Sequence, residues 1–220
     1  MEKIDIVIIG AGIAGIASAY YLQKNFPNIK YKILESRNNV GGTWDQMRFP
    51  GVRADNDMYT YGFSYYPWKG SIIGDGEEIR NYLNEVTDKF NIKKNVLFNT
   101  EVKSLIWKDN KWIIKTDHSK FTSQYVVCCT GSRDRKNPHL PKFKNEKIYK
   151  GKIVHTQAWG NTEFKNKNVA IVGSGCTAIT MAPSIIKEAK KVTLIQRSPA
   201  WIINIDSKEK STRLYKTCLL

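Results

Sequence analysis

Ile4-Asp5-Ile6-Val7-Ile8-Ile9-Gly10-Ala11-Gly12-Ile13-Ala14-Gly15 opens the chain with an apolar run that ends in a glycine-rich turn. The residues that follow, Ile16-Ala17-Ser18-Ala19-Tyr20-Tyr21-Leu22, read as a helix rich in small side chains. Strand, tight glycine turn and helix is the order that dinucleotide binding requires. Gly10 makes the turn, Gly12 lets backbone approach a pyrophosphate, and Gly15 lets the helix pack on the strand. The helix N-terminus then offers free N–H groups and a positive dipole end to phosphates. The same order recurs 163 residues later, where Val169-Ala170-Ile171-Val172 runs into Gly173-Ser174-Gly175-Cys176-Thr177-Ala178. One such turn is a weak signal. Two in one chain, each with strand and helix context, predict an α/β protein with Rossmann-like folds for two dinucleotides.

The residues after each turn separate the two sites. Tyr31-Lys32-Ile33-Leu34 reads as a short strand ending at Glu35, twenty residues past Gly15. A carboxylate there accepts hydrogen bonds from both hydroxyls of an unphosphorylated ribose, as in FAD or NAD. A solvated acid at a strand end is the plainer alternative. In the second half, Val192-Thr193-Leu194-Ile195 runs into Gln196-Arg197-Ser198. Gly10 to Glu35 is 25 residues and Gly173 to Ser198 is 25 residues, so the count sets Ser198 in the place of the acid with Arg197 beside it. Loss of the negative charge and gain of a guanidinium suit a ribose 2′-phosphate, although Arg197 could also be an ordinary surface cation. The first site is therefore expected to take FAD, and the second NADPH.

Between the two turns lie motifs more specific than dinucleotide binding. Glu35-Ser36-Arg37-Asn38-Asn39-Val40-Gly41-Gly42-Thr43-Trp44 resembles the second flavin-contacting segment of flavin-containing monooxygenases. Phe49-Pro50-Gly51-Val52-Arg53-Ala54-Asp55-Asn56-Asp57-Met58-Tyr59-Thr60 resembles the segment that passes the isoalloxazine in Baeyer–Villiger monooxygenases. Tyr149-Lys150-Gly151-Lys152-Ile153-Val154-His155-Thr156-Gln157-Ala158-Trp159 is similar to the fingerprint F-x-G-x-x-x-H-x-x-x-W-P/D of that family. Tyr149 stands for its Phe, and Gly160 for its last residue. Cys129-Thr130-Gly131 stands for an A-T-G segment. The chain is similar to class B flavoprotein monooxygenases over essentially its full length, and most of all to their ethionamide-activating subgroup.

The resemblance implies FAD contacts at Gly42, Thr43, Trp44, Asp55, Tyr59, Thr130 and Gly131. It sets Asp55 beside the flavin, where a carboxylate can orient a catalytic Arg. That Arg and the closing segment of the flavin domain belong to parts of the family absent here, and Arg53 is the first cation already present to consider for the role. Tyr149, Gly151, His155 and Trp159 are the fingerprint positions. His155 reads as a residue coupling two domains rather than as an acid or base, Trp44 and Trp159 could equally be core aromatics, and Asp57 reads as solvated. The implied reaction is FAD- and NADPH-dependent insertion of one oxygen atom of O2 into a ketone, or oxidation of a sulfur or nitrogen centre such as a thioether, by way of a C4a-peroxyflavin.

Residues 1–145 are expected to hold the FAD-binding part and 146–167 a linker with the fingerprint. From 168 to 220 the chain opens an NADP-binding domain with only strand, helix and strand. Within the first part, Ile79, Leu83, Val86 and Phe90 follow a helical period. Strand-like runs at Val96–Phe98, Val102–Trp107, Lys111–Thr116 and Tyr125–Cys129 predict an antiparallel sheet beside the nucleotide fold. Asn137-Pro138-His139-Leu140-Pro141 marks a boundary. Three elements cannot bury a parallel sheet, so the second domain is expected to be truncated. The sequence is then an N-terminal fragment, or the product of a shortened gene, or a polypeptide completed by a second chain.

The formal net charge is +15, which raises nucleic acid as a partner. The lysines are scattered along the sequence rather than gathered with aromatics into a stripe, which argues against specific nucleic-acid binding. Cys128, Cys129, Cys176 and Cys218 form no C-x-x-C pair, which suits thiols in a reducing cytosol and a cytoplasmic protein. No signal peptide and no apolar run of spanning length is read, and no metal-ligand set is assigned. Two rival functions remain: a two-dinucleotide flavoprotein reductase, and an inactive FAD-binding fragment of a monooxygenase.

Overall fold

β1 (Glu2–Ile9) is the central strand of a six-stranded sheet and its apolar residues explain why. Ile4, Ile6, Val7, Ile8 and Ile9 are all buried, as a strand covered on both faces must be. β2 (Tyr31–Leu34) and β6 (Lys120–Cys128) flank it in parallel register, pairing Ile9 with Leu34 on one side and with Cys128 on the other. Outside β2 lies the two-residue β3 (Val96–Leu97), also parallel. Outside β6 lie the antiparallel β5 (Lys111–Thr116) and, at the edge, β4 (Val102–Lys108). The order is β3-β2-β1-β6-β5-β4. The antiparallel meander is thus continuous with the nucleotide fold rather than a sheet beside it, because β6 starts at Lys120 and pairs with β1 along nearly its whole length. Asp109 and Asn110, with φ of 51° and 55°, close the β4–β5 hairpin. Two consecutive left-handed residues make the two-residue turn that matches strand twist, and Asp and Asn tolerate that conformation.

The computed structural model describes residues 2–132 and 137–202, and it divides into two compact units. The first comprises Met1–Gln46 and Ile79–Ser132, and the second Met47–Glu78 and Arg133–Leu220. In the first unit, α1 (Ile13–Asn25) buries Gly15, Ile16 and Ala19, a small-residue face that lies close on the sheet. α2 (Thr43–Gln46) is a single turn. α4 (Gly76–Lys89) begins in the second unit and buries Ile79, Leu83 and Val86 in the first. Each such side chain contributes about 1.5–3 kcal/mol on burial. The start of α4 is capped reciprocally: the Asp75 carboxylate accepts from Glu77 N–H and Glu78 N–H, and Glu78 accepts from Asp75 N–H.

The second unit is not a contiguous stretch. Met47 and Phe49 are buried in one apolar cluster with Ile171, Ala178, Met181 and Ile185, and Trp159 and Phe164 pack against that cluster. This packing ties Met47, Phe49 and Val52 to the rest of the second unit. α3 (Met58–Tyr61) is one turn capped by Asp57, whose carboxylate accepts from Tyr59 N–H and Thr60 N–H at 3.0 Å each. Asp57 is therefore a helix cap and not a merely solvated acid. β7 (Asn168–Val172) and β8 (Lys191–Ile195) form a two-stranded parallel sheet joined through α5 (Cys176–Ile185).

Candidate functional site

The first glycine turn is built by backbone that only glycine allows at two points. Gly10 has φ of 100° and donates its N–H to Leu34 O at 2.8 Å, which ties the turn to the end of β2. A Cβ on Gly15 would run into the carbonyl oxygen of Gly10, so the helix can start this close to the strand only with hydrogen there. Gly12 caps α1 in extended conformation, and a Cβ added to it would meet only Gly42 Cα, at 3.6 Å. The turn is thus open on the face where a pyrophosphate would approach the helix N-terminus.

Glu35 follows directly on β2 and is 1 % exposed. Its carboxylate accepts from Ala11 N–H at 2.7 Å, from Arg37 N–H at 2.9 Å and from Ser36 Oγ–H at 3.3 Å. The acid is fixed on the glycine turn itself, not left in solvent. The flanking segment joins it: Gly41 N–H donates to Ala11 O at 2.9 Å, and Thr43 and Trp44 begin α2 just beyond Gly42. Buried Asp45 pairs with Arg37 Nε at 2.7 Å and holds this segment against the end of β2. Arg80 donates to the Trp44 carbonyl at 3.3 Å. On the other side, Cys129 N–H donates to Ile9 O at 2.8 Å, so Thr130 and Gly131 leave β6 beside Gly10. One unit therefore gathers Gly10, Gly12, Gly15, Glu35, Gly42, Thr43, Trp44, Thr130 and Gly131 around one turn. The Arg37–Asp45 pair escaped sequence reading, because eight residues of irregular chain have no period to betray a contact.

Asp55, Arg53 and Tyr59 belong to the second unit. The backbones of Arg53 and Asp75 form an isolated antiparallel β-bridge, and Ala54 N–H donates to Gly74 O at 2.9 Å. Tyr59 Oη–H donates to Gly70 O at 2.9 Å. Asp55 is exposed and accepts from the Cys176 thiol at the start of α5. Partial desolvation pushes that thiol up from its ordinary pKa, and the Asp55 carboxylate pushes it further by favouring the protonated form.

The second turn repeats the first in its backbone bonding. Gly173 has φ of 139° and donates to Ile195 O at 2.9 Å, as Gly10 does to Leu34. Ser174 lies in the turn, Gly175 caps α5, and Thr177 and Ala178 stand in its first turn. A Cβ at Gly173 or Gly175 would meet nothing within 4 Å. This shared bond corrects the residue count. Leu34 and Ile195 are equivalent, so the position of Glu35 is matched by Gln196, with Arg197 next and Ser198 one further. The connection between turn and strand end is two residues shorter in the second unit, and counting from the glycine overshoots by that amount. Gln196 is the residue that sequence spacing missed; counting from the strand end would have found it. Gln196, Arg197 and Ser198 are all exposed.

Of the fingerprint, His155 Nδ1 accepts from Gln157 N–H at 3.2 Å and caps the turn Thr156–Ala158. Trp159 packs on Phe164 with ring centroids 6.3 Å apart. The ring of exposed Tyr149 lies over Gly151 and would collide with any Cβ there. Cys218 lies outside the described residues. Among the described residues, Cys128, Cys129 and Cys176 are free thiols.

Residues 4–216 match the family described as pyridine nucleotide-disulphide oxidoreductase. The chain is 41% identical over 218 residues to "Probable FAD-binding monooxygenase AlmA" of Acinetobacter sp, covering 94% of this chain and 44% of that protein. It is 37% identical over 212 residues to "FAD-containing monooxygenase EthA" of Mycobacterium tuberculosis, covering 92% of this chain and 43% of that one. Among solved structures it is similar to steroid monooxygenase bound to NADP, with TM-score 0.84, 27% identity and coverage of 98% and 43%. It is also similar to OTEMO in complex with FAD and NADP, with TM-score 0.78, 28% identity and coverage of 90% and 39%. Cyclohexanone monooxygenase with cyclohexanone bound gives TM-score 0.85, 25% identity and coverage of 99% and 44%. The chain spans under half the length of each of these relatives. From the two glycine turns, the family match and these relatives, the chain belongs to the pyridine nucleotide-disulphide oxidoreductase family and is related within it to flavin-dependent monooxygenases.

Proposed function

We propose that this chain forms the FAD-binding part, and the opening of the NADPH-binding part, of a flavin-dependent monooxygenase. The observation that carries the reading is the buried Glu35 carboxylate seated on the Ala11 N–H of an open glycine turn. Glu35 would hold the FAD ribose there, and the start of α1 would hold the pyrophosphate. Gly42, Thr43 and Trp44, with Thr130 and Gly131, border the same turn and would line the flavin nucleotide. In the second unit the open turn Gly173–Gly175, with Thr177 and Ala178 behind it, would take the NADPH pyrophosphate. Neutral Gln196 and cationic Arg197, followed by Ser198, would accept the 2′-phosphate.

In this reading FAD resides within 1–145, the fingerprint linker spans 146–167, and the NADPH site opens from 168. Bound there and reduced by NADPH, FAD would supply the activation of O2 for delivery of one oxygen atom to a ketone or to a sulfur or nitrogen centre. Asp55 would orient a cation at the reacting centre, and Arg53 is the nearest candidate in sequence. The chain spans under half the length of its relatives, and the full activity is proposed for a protein of their length, in one polypeptide or two. Free thiols at Cys128, Cys129 and Cys176 suit a reducing cytoplasm. The reductase alternative gains nothing from Cys128 and Cys129, because consecutive residues leaving a strand point to opposite faces.

The test is flavin retention. Purified chain, or chain incubated with FAD and desalted, should show bound flavin absorbance, and Glu35→Ala should lose it. Wild-type protein that stays colourless with excess FAD would overturn the reading.

A further inference from the structure

Strand pairing gathers lysines that the sequence scatters. Lys108 of β4 stands directly opposite Lys111 of β5, and Lys115 of β5 directly opposite Lys120 of β6. Like charges facing across a ladder destabilise it, so two such pairs on one small sheet oppose folding and call for another reason. All four alternate onto the same face, with the pair Ile106–Ile113 between the two lysine rows. Ile106 is 43% exposed at the edge of the sheet, whereas Trp107, one residue on, alternates onto the opposite face with Trp112.

We propose that this β4–β5–β6 face is a docking surface for an anionic lipid bilayer. Four ammonium groups framing an aliphatic centre match a negatively charged headgroup layer over hydrocarbon. The formal net charge of +15 brings the molecule to such a surface. Attachment is peripheral: among the described residues no helix is long and apolar enough to cross a membrane. Single-stranded nucleic acid fits less well. Trp107 and Trp112 pair on the opposite face of the ladder, their rings edge-on at 5.4 Å, so the lysine face of these strands carries no aromatic plane for stacked bases. Such attachment is independent of the proposed enzymatic function.

The experiment is co-sedimentation of the 220-residue chain with vesicles of phosphatidylcholine, alone or mixed with phosphatidylglycerol. Binding is expected to the mixed vesicles only, and to weaken with salt. One lysine near an anionic surface is worth about fivefold in partition, so the charge reversal Lys111→Glu should cost about 25-fold. Lys111→Glu also turns a repulsive cross-strand pair into an attractive one, so its melting temperature should equal or exceed that of the wild type. Ile106→Asp should likewise weaken binding. Unchanged partition of Lys111→Glu, or equal binding to neutral vesicles, would overturn the proposal. So would a dimer that Ile106→Asp dissolves without any vesicle binding, which would assign the face to a second copy.

Discussion

Glu35 shows how one side chain serves both fold and function. Its carboxylate is buried and satisfies the backbone N–H groups of Ala11 and Arg37, so Glu35→Ala should destabilise the protein by about 1–3 kcal/mol through unpaired donors. Glu35→Gln keeps one acceptor oxygen and should regain much of that stability while still binding flavin weakly, a difference that urea titration with and without FAD would read. Cys176 carries a prediction of opposite sense. The start of a helix ordinarily lowers a thiol pKa, yet desolvation and the Asp55 carboxylate outweigh that here and raise it. Asp55→Asn removes the repulsion, lowers the pKa and increases the thiolate fraction near neutral pH. Iodoacetamide should therefore alkylate Cys176 several-fold faster in Asp55→Asn than in the wild type, and an equal or slower rate would show that the two groups do not interact. Glu35 could be read from the sequence because a strand end and a glycine turn bracket it. Asp57 as a cap could not, because a single-turn helix leaves no periodicity.

Elements were readable where burial imposes a period and unreadable where pairing imposes a register. β1, α1 and the buried stripe of α4 follow from apolar spacing. The continuity of β6 with β1 does not, since Lys120–Gln124 looks polar until Phe121 and Ser123 are seen buried beside β1 and β5. The displacement of the acid-equivalent position from Ser198 to Gln196 has the same origin. Register is set by which backbone groups bond, and the bond from Gly173 to Ile195 is invisible in a residue count. The charge argument survives the shift, because Gln196 is as neutral as Ser198 and Arg197 remains adjacent. The consequence can be checked in the longer polypeptide by measuring nucleotide affinity. Arg197→Ala should weaken NADPH by about ten- to a hundredfold with little effect on NADH. Gln196→Asp should move preference toward NADH, whereas Ser198→Asp should do so less.

The two units differ in how far each closes its own sheet. In the first, six strands form one sheet whose strand β1 is buried, and the turn at Gly10 bonds to Leu34 while Ile9 beside it bonds to Cys129. In the second, β7 and β8 are the only pair among the described residues, and Val172 is 59% and Ile195 50% exposed. A parallel sheet is stable when both faces are covered, and exposed apolar strand surface favours association. Flavin binding should therefore be separable from turnover. The 220-residue polypeptide, freed of other chains, should retain FAD yet fail to convert a simple ketone or thioether with NADPH. Two causes act together. Among the described residues the sheet that would hold NADPH is two strands wide, and the resemblance to the family puts a cation for developing negative charge in the part of the relatives that this chain does not cover. Removing one such positioned group costs about 10²–10³ in rate by itself, and an unformed nucleotide site costs more. The measurement is NADPH consumption alongside product formation, which separates uncoupled oxidation from oxygen transfer. Coupled turnover by the polypeptide alone would mean that the two strands suffice and that an arginine already present serves the reaction, in which case Arg53→Ala should abolish it.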